Sequence, residues 1–182
     1  MIMSDLATQL ERITLGGGCF WCTEAVFERV RGVKRVESGY CNGLIENPSY
    51  EQVCTGKTGH VEVVRVDFDP AEVSLRDLLQ VFFAIHDPTT LNRQGGDTGT
   101  QYRSGIYVHD DGQLAVAREV LAEAQAAHKG AVVTELVNEL NYWPAEAYHH
   151  QYFARNPEQG YCAFVVAPKV DKFHKTFARL MR

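Results

Sequence analysis

The sequence predicts a mixed α/β domain in which helices pack against a sheet. Two observations carry this expectation. Stretches with strand character alternate along the chain with stretches of helical spacing, and no repeat, low-complexity tract or linker divides the 182 residues. A chain of that length supports one buried core, so residues 1–182 are read as a single domain, with residues 1–10 a flexible N-terminal segment.

Residues Glu11 to Leu15 read as a short strand, stopped by Gly16, Gly17 and Gly18. A helix follows from Cys19 to about Arg29, with Ala25, Val26 and Val30 at near-helical spacing and Gly32 as its stop. Val33 to Cys41 and His60 to Phe68 read as strands. The second carries Val61, Val63, Val64, Val66 and Phe68, a near-continuous apolar run that suits a central position. Ser74 is placed to cap a helix running to about His86. A strand over 105–108, a helix over 112–128, a strand over 132–140 and a helix opened by Pro168 and running to Leu180 complete the order. Residues 42–59 and 87–104 are rich in Gly, Asn, Thr and Pro and fit neither period. Long irregular stretches inside a domain of this size tend to carry function.

Composition narrows the partners. Apolar residues make up 45% and charged residues 23%, as in an ordinary globular protein. A net charge of -5 argues against nucleic acid or an anionic membrane surface, both of which attract a basic face. No apolar run approaches the roughly 20 residues of a membrane helix. The N-terminus lacks the basic start and apolar stretch of a signal peptide, so a cytoplasmic protein is expected. Nothing requires more than a monomer. The five cysteines (Cys19, Cys22, Cys41, Cys54 and Cys162) are odd in number and widely spread, unlike a secreted disulfide framework.

Cys19 stands out among them. A strand, three glycines and then a helix put it at a helix N-terminus, where free N–H groups and the helix dipole favour a thiolate and a lowered pKa. Phe20 and Trp21 follow at once. A buried thiol beside two core aromatics is the competing reading, and spacing alone does not decide. Cys22, three residues on, admits a thioredoxin-like dithiol or a local resolving thiol. A zinc site lacks the second close pair of ligands it needs. His149 and His150 project in different directions on a helix and are taken as structural rather than as ligands.

The run Gly17-Gly18-Cys19-Phe20-Trp21 resembles the active-site signature of the A-type peptide methionine sulfoxide reductases. Further stretches resemble that family's blocks in the same order: Ser38-Gly39-Tyr40, Tyr50 to Gly56, Thr58 to Val63, Asp97 to Ser104, Ala145 to His149 and Asn156-Pro157. The similarity spans roughly residues 11 to 170, and several ordered blocks are far more specific than one motif. It implies a two-layer α/β sandwich with a ferredoxin-like mixed sheet and long coil segments. It also implies reduction of methionine S-sulfoxide, free or in proteins, with thioredoxin as reductant and no metal or organic cofactor.

The resemblance assigns roles residue by residue. Cys19 attacks the sulfoxide sulfur. Glu62, among Val61, Val63 and Val64, matches the acid that protonates the oxygen; as a strand residue alone it reads equally as an outward-facing charge. Tyr50 and Tyr102 match the tyrosines that donate to that oxygen. Asp97 matches a further polar residue of the pocket, suited to orienting a neighbour. Phe20 and Trp21 wall a site for the S-methyl group, and Tyr161 borders it. The resulting Cys19 sulfenic acid must condense with a second thiol. Cys162 resembles a C-terminal resolving cysteine, but its apolar flank Ala163 to Val166 also suits a buried strand. Cys22 stands where glycine is usual and is favoured as the resolving thiol. Cys54 is taken as structural and Cys41 as inert. The remaining alternative is a general dithiol–disulfide oxidoreductase using Cys19 and Cys22.

Overall fold

The computed structural model describes residues 9–182; the remainder, and with it most of the expected flexible segment 1–10, lies outside the described residues. Its strands are β1 (Glu11–Gly16), β2 (Val33–Cys41), β3 (Val61–Phe68), β4 (Arg93–Gln94), β5 (Asp97–Thr98), β6 (Gly105–Val108), β7 (Glu135–Asn138) and β8 (Trp143–Pro144). Six of them form one mixed sheet in the order β7-β6-β1-β3-β2-β8. Among the described residues, only β6 and β7 pair in parallel. The helices are α1 (Phe20–Phe27), α2 (Tyr50–Cys54), α3 (Leu75–Ile85), α4 (Asp111–Ala127), α5 (Tyr152–Arg155) and α6 (Ala167–Thr176). The crossovers β1-α1-β2 and β3-α3-β6 interleave, which gives the central order β6-β1-β3-β2 of a ferredoxin-like core.

Strand β3 is central, as its valines predict, and its alternation sorts the two faces. Val64, Val66 and Phe68 join the main core with Ile13, Leu15 and the apolar faces of α1 and α3. Val61 and Val63 face the other way, into a small cluster with Cys41 and Tyr107. Period two therefore sends Glu62 to the helix-covered side. Ser74 caps α3 as expected, its hydroxyl accepting from the Asp77 N–H at 3.0 Å.

The irregular stretches hold more order than their composition suggests. Residues 42–59 contain α2, a single turn closed by a capping box in which Ser49 and Gln52 satisfy each other's backbone N–H. Residues 87–104 contain the β4–β5 hairpin and a 3₁₀ turn over Thr100–Tyr102. The C-terminal region corrects one expectation: Cys162 is buried, yet in a π-helical turn (Cys162–Val166) that runs into α6, not in a strand. Pro168 sits one residue inside α6, directly after the π-helical turn, so it lies within the helical run and does not open it as expected. Helix α6 ends at Thr176, and a 3₁₀ turn over Ala178–Leu180 takes its place to the C-terminus. Beyond it the Arg31 N–H donates to the Leu180 carbonyl at 2.7 Å, and the Arg182 N–H to that of Arg29 at 2.9 Å.

Because Ser49 caps the turn that begins with Tyr50, Ser49→Ala is expected to cost about 1 kcal/mol. Denaturant unfolding of the two proteins side by side checks this; an unchanged midpoint counts against the cap.

Candidate active site

The site forms where the N-terminus of α1 meets the first residues of β3. Gly18 turns the chain with a φ of +91°, and a side chain there would also collide with Gln94. Cys19 follows as the N-cap of α1, and Phe20 and Trp21 open the helix. Phe20 is buried, its ring 5.7 Å from that of Tyr40. Trp21 stacks on Tyr152 with centroids 3.8 Å apart and planes within 6°, and meets the Tyr161 ring edge-on at 5.8 Å.

Glu62 lies opposite Tyr40 in the β2–β3 ladder and is 1% exposed. The outward-facing reading is thereby excluded. Its Oε1 accepts the Phe20 backbone N–H at 3.2 Å, one of the donors left free at the start of α1. Its Oε2 is buried with no partner among the described residues. Burial pushes the Glu62 pKa up to about 8, against the pull of the Phe20 N–H, with Asp97 adding a like charge. At neutral pH the group is a carboxylic acid. Since Oε1 is an acceptor, the proton belongs on Oε2.

Cys19 departs from the lowered pKa that its helix position predicts. Burial first, then the neighbouring Glu62 and Cys22, raise its pKa well above the ordinary thiol range, and the Trp21 N–H lowers it only in part. The free N–H groups of an eight-residue helix do not offset the loss of water beside a carboxyl. The resting group is a thiol.

Tyr50 begins α2, and its backbone N–H donates to Glu146 Oε2 at 2.9 Å. The other oxygen of Glu146 accepts from the Tyr40 hydroxyl at 3.0 Å. Tyr102 ends the 3₁₀ turn before β6. Burial and then Glu62 push both phenols upward, so each remains an O–H donor. Asp97, in the β4–β5 hairpin, accepts from the Tyr161 hydroxyl at 2.5 Å, which fits the expected orientation of a neighbour. The structure thus brings Cys19, Phe20, Trp21, Tyr50, Glu62, Asp97, Tyr102 and Tyr161 to one end of the sheet.

The second thiols separate. Cys22 is buried on α1, its own pKa raised by burial and drawn back by Lys169 and Tyr161, with Cys162 close enough to raise it. Cys162 is buried too, and burial raises its pKa. Cys54, expected as structural, is exposed and lies against Tyr50. Cys41 is buried in the small cluster behind the sheet.

Comparison with known proteins decides the lineage. The family model described as "Peptide methionine sulfoxide reductase" matches residues 11–180. The chain belongs to the peptide methionine sulfoxide reductase family. It is 56% identical over 174 residues to the peptide methionine sulfoxide reductase MsrA of Polynucleobacter asymbioticus, covering 94% of this chain and 92% of that one. Among solved structures, reduced Mxr1 from Saccharomyces cerevisiae matches with a TM-score of 0.79 and 36% identity, over 86% of this chain and 91% of that one. Mxr1 solved in complex with Trx2 matches with a TM-score of 0.56 and 27% identity, over 84% and 90%.

Several residues of this reductase's site carry no site role in the sequence reading. Glu146 links Tyr40 and Tyr50, Tyr152 stacks on Trp21, and His149 accepts a bond from Trp21. All three follow from the block Ala145 to His149 and the residues just after it. Its matching could have flagged them, but no periodicity could, because 147–149 is only a 3₁₀ turn.

A pH-linked stability follows from Glu62. Its folded pKa of about 8 lies above the unfolded value near 4.5, so folding favours the protonated form. That stabilisation is complete below the unfolded value and is lost as pH rises through about 8. Glu62→Gln, which cannot ionise, should therefore match the parent at pH 4.5 and become progressively more stable than it towards pH 8. Each unit contributes at most ~1.4 kcal/mol. Urea midpoints of both proteins across this range test it, and a constant difference would contradict it.

Proposed function

We propose that this reductase acts on methionine S-sulfoxide, free and in proteins, with Cys19 as nucleophile and Glu62 as acid. The observation that carries the reading is the Glu62 carboxyl: one oxygen is occupied by the Phe20 N–H, and the other is buried without a partner and bears the proton. A sulfoxide oxygen cannot leave without a proton, and a neutral acid near pH 7 supplies one.

The substrate methyl group lies against Phe20 and Trp21, and its oxygen turns towards Glu62, Tyr50 and Tyr102. Methyl recognition alone contributes only ~1–3 kcal/mol, so the choice of epimer also rests on the three donors to oxygen. Cys19 sulfur attacks the sulfoxide sulfur as Oε2 protonates the oxygen, the thiol proton of Cys19 returns to Glu62, and the hydroxyl then passes from the substrate sulfur to the Cys19 sulfur as the bond between the two sulfurs breaks. In sum, Cys19–SH and R–S(O)–CH3 become Cys19–SOH and R–S–CH3. The substrate sulfur is reduced by two electrons and the cysteine sulfur oxidised by two. The two tyrosines donate while negative charge builds on oxygen, and Asp97 acts by holding Tyr161 beside Trp21.

The Cys22 thiol then attacks the sulfenic sulfur, the oxygen departs as water and a Cys19–Cys22 disulfide forms. Cys22 is preferred because it neighbours Cys19 directly, whereas Cys162 neighbours Cys22. Thioredoxin restores both thiols by exchange, the role suggested by the Mxr1–Trx2 complex. A cycle that ends in two reduced thiols suits the cytoplasm, and none of its steps requires a second subunit.

Two measurements test this. Glu62→Gln should lose at least 100-fold in turnover of methionine S-sulfoxide with dithiothreitol, while parent activity should fall on an alkaline limb near pH 8. A Gln variant that keeps its activity removes Glu62 as the acid. Peptide mapping after a single turnover should find Cys19 joined to Cys22, and a Cys19–Cys162 bridge would reassign the resolving thiol.

A further inference from the structure

Cys22 must ionise before it attacks the sulfenic acid of Cys19, because the thiolate and not the thiol is the nucleophile. Its surroundings oppose this. Cys22 is 1% exposed, and burial is the largest influence on it. The groups that face it come from four segments. Cys19 stands at the start of its own helix, Tyr161 and Cys162 at the π-helical turn, Asp97 in the β4–β5 hairpin and Lys169 on α6. Asp97 and Cys162 both disfavour a further negative charge there. Tyr161 can favour a Cys22 thiolate only by releasing Asp97, to which its single proton is donated at 2.5 Å. His86, also near Lys169, is neutral, its pKa lowered by burial to about 4. The ammonium of Lys169 is therefore the positive charge that Cys22 has.

The placing of Lys169 suits such a task. It is half-buried on α6, the helix that packs against α1. There it lines a cavity of about 760 Å³ together with His86, Asp87, Gln94, His128 and Lys172. Asp87, the one acid of that wall, is turned to Thr89, accepting its N–H at 2.9 Å and its hydroxyl at 2.5 Å. Among the described residues Lys34 is the one lysine held in an ion pair, so no carboxylate claims the charge of Lys169. Lys172, one turn further along α6, is exposed, and its field is screened by solvent.

We infer that Lys169 is a positioning residue for the resolving step: its ammonium holds the negative charge that Cys22 takes on while it attacks Cys19. In that step the Cys22 sulfur supplies the electron pair of the new S–S bond. The S–O bond of the sulfenic acid breaks, and the proton given up by Cys22 leaves with the hydroxyl as water. Both sulfurs end at the level of a disulfide. The charge on Cys22 is transient and buried, where a nearby cation acts with little screening.

The inference rests on Cys22 as the resolving thiol, and the experiment separates the two. The parent, Lys169→Met, Lys169→Arg, Lys172→Met and Cys22→Ser proteins are each quenched during a single turnover of N-acetylmethionine S-sulfoxide without reductant. Methionine product and disulfide are measured from neutral to alkaline pH, and iodoacetamide labelling of Cys22 in the reduced proteins is mapped over the same range. Lys169→Met should release product within about twofold of the parent rate but close the disulfide about tenfold more slowly at neutral pH. Loss of the cation raises the Cys22 pKa, so the labelling profile moves to higher pH and the deficit shrinks as pH rises. Lys169→Arg should restore both, and Lys172→Met should alter neither. A Met variant with the parent's disulfide rate and labelling profile, or an Arg variant as slow as Met, overturns the inference. So does equal slowing by Lys172→Met. Should Lys169→Met fail to fold, Lys169→Gln takes its place. A Cys22→Ser protein that closes its disulfide at the parent rate removes the resolving role and the inference with it; a labelling profile that still depends on Lys169 marks that failure as one of Cys22.

Discussion

Glu62 enters the interior on a strand whose neighbouring positions on the same face are Val64, Val66 and Phe68, and among the described residues no opposite charge acts on it there. A carboxylate in such surroundings is costly, and the protein meets the cost by keeping the group protonated. Much of the site's geometry answers to this one neutral acid. Helix α1 begins where its first N–H can reach Oε1, which sets Cys19 beside the carboxyl and raises the thiol pKa by the same burial. Nucleophile and acid are therefore both protonated at rest. Under the proposed mechanism, whatever lowers the thiol pKa comes with the substrate, when the Glu62 proton moves to oxygen and the carboxyl becomes able to receive that of Cys19.

The sheet topology makes this meeting possible. Cys19 follows β1 and Glu62 lies near the start of β3, strands that pair antiparallel at the centre of the sheet with Leu15 opposite Val64. Phe20 and Glu62, 42 apart in sequence, thus come together through a register rather than through a loop, and the register is tied to the alternation that fills the core. The remaining walls come from segments that would be irregular by composition: α2 supplies Tyr50, the 3₁₀ turn Tyr102, the hairpin Asp97, and residues 146–161 the aromatic backing of Trp21.

Strands β1 to β3 and helices α1, α3 and α4 were legible in the sequence because each has a period, a cap or a glycine stop. The site was legible as family blocks, and Cys19 also as a thiol at a helix start. What escaped has a common physical basis. The predicted low thiol pKa considered the helix alone and omitted burial, a property of the assembled core. The strand assigned to Cys162 considered apolar flanks that serve a π-helical turn equally well. Strand β7 is shorter than its apolar run, since only Glu135–Asn138 finds a partner in β6. The partnership of Trp21 with His149 spans 128 positions and depends on ring orientation, which no local pattern encodes.

The two outer strands of the main sheet are short. Strand β8 has two residues, one of them Pro144, which has no N–H to offer a neighbour. Strand β7 has four, beginning with the charged Glu135. Neither rim provides the long, flat row of free donors and acceptors on which a second extended chain could assemble. The main sheet thus gives an extended segment of another chain little edge on which to assemble.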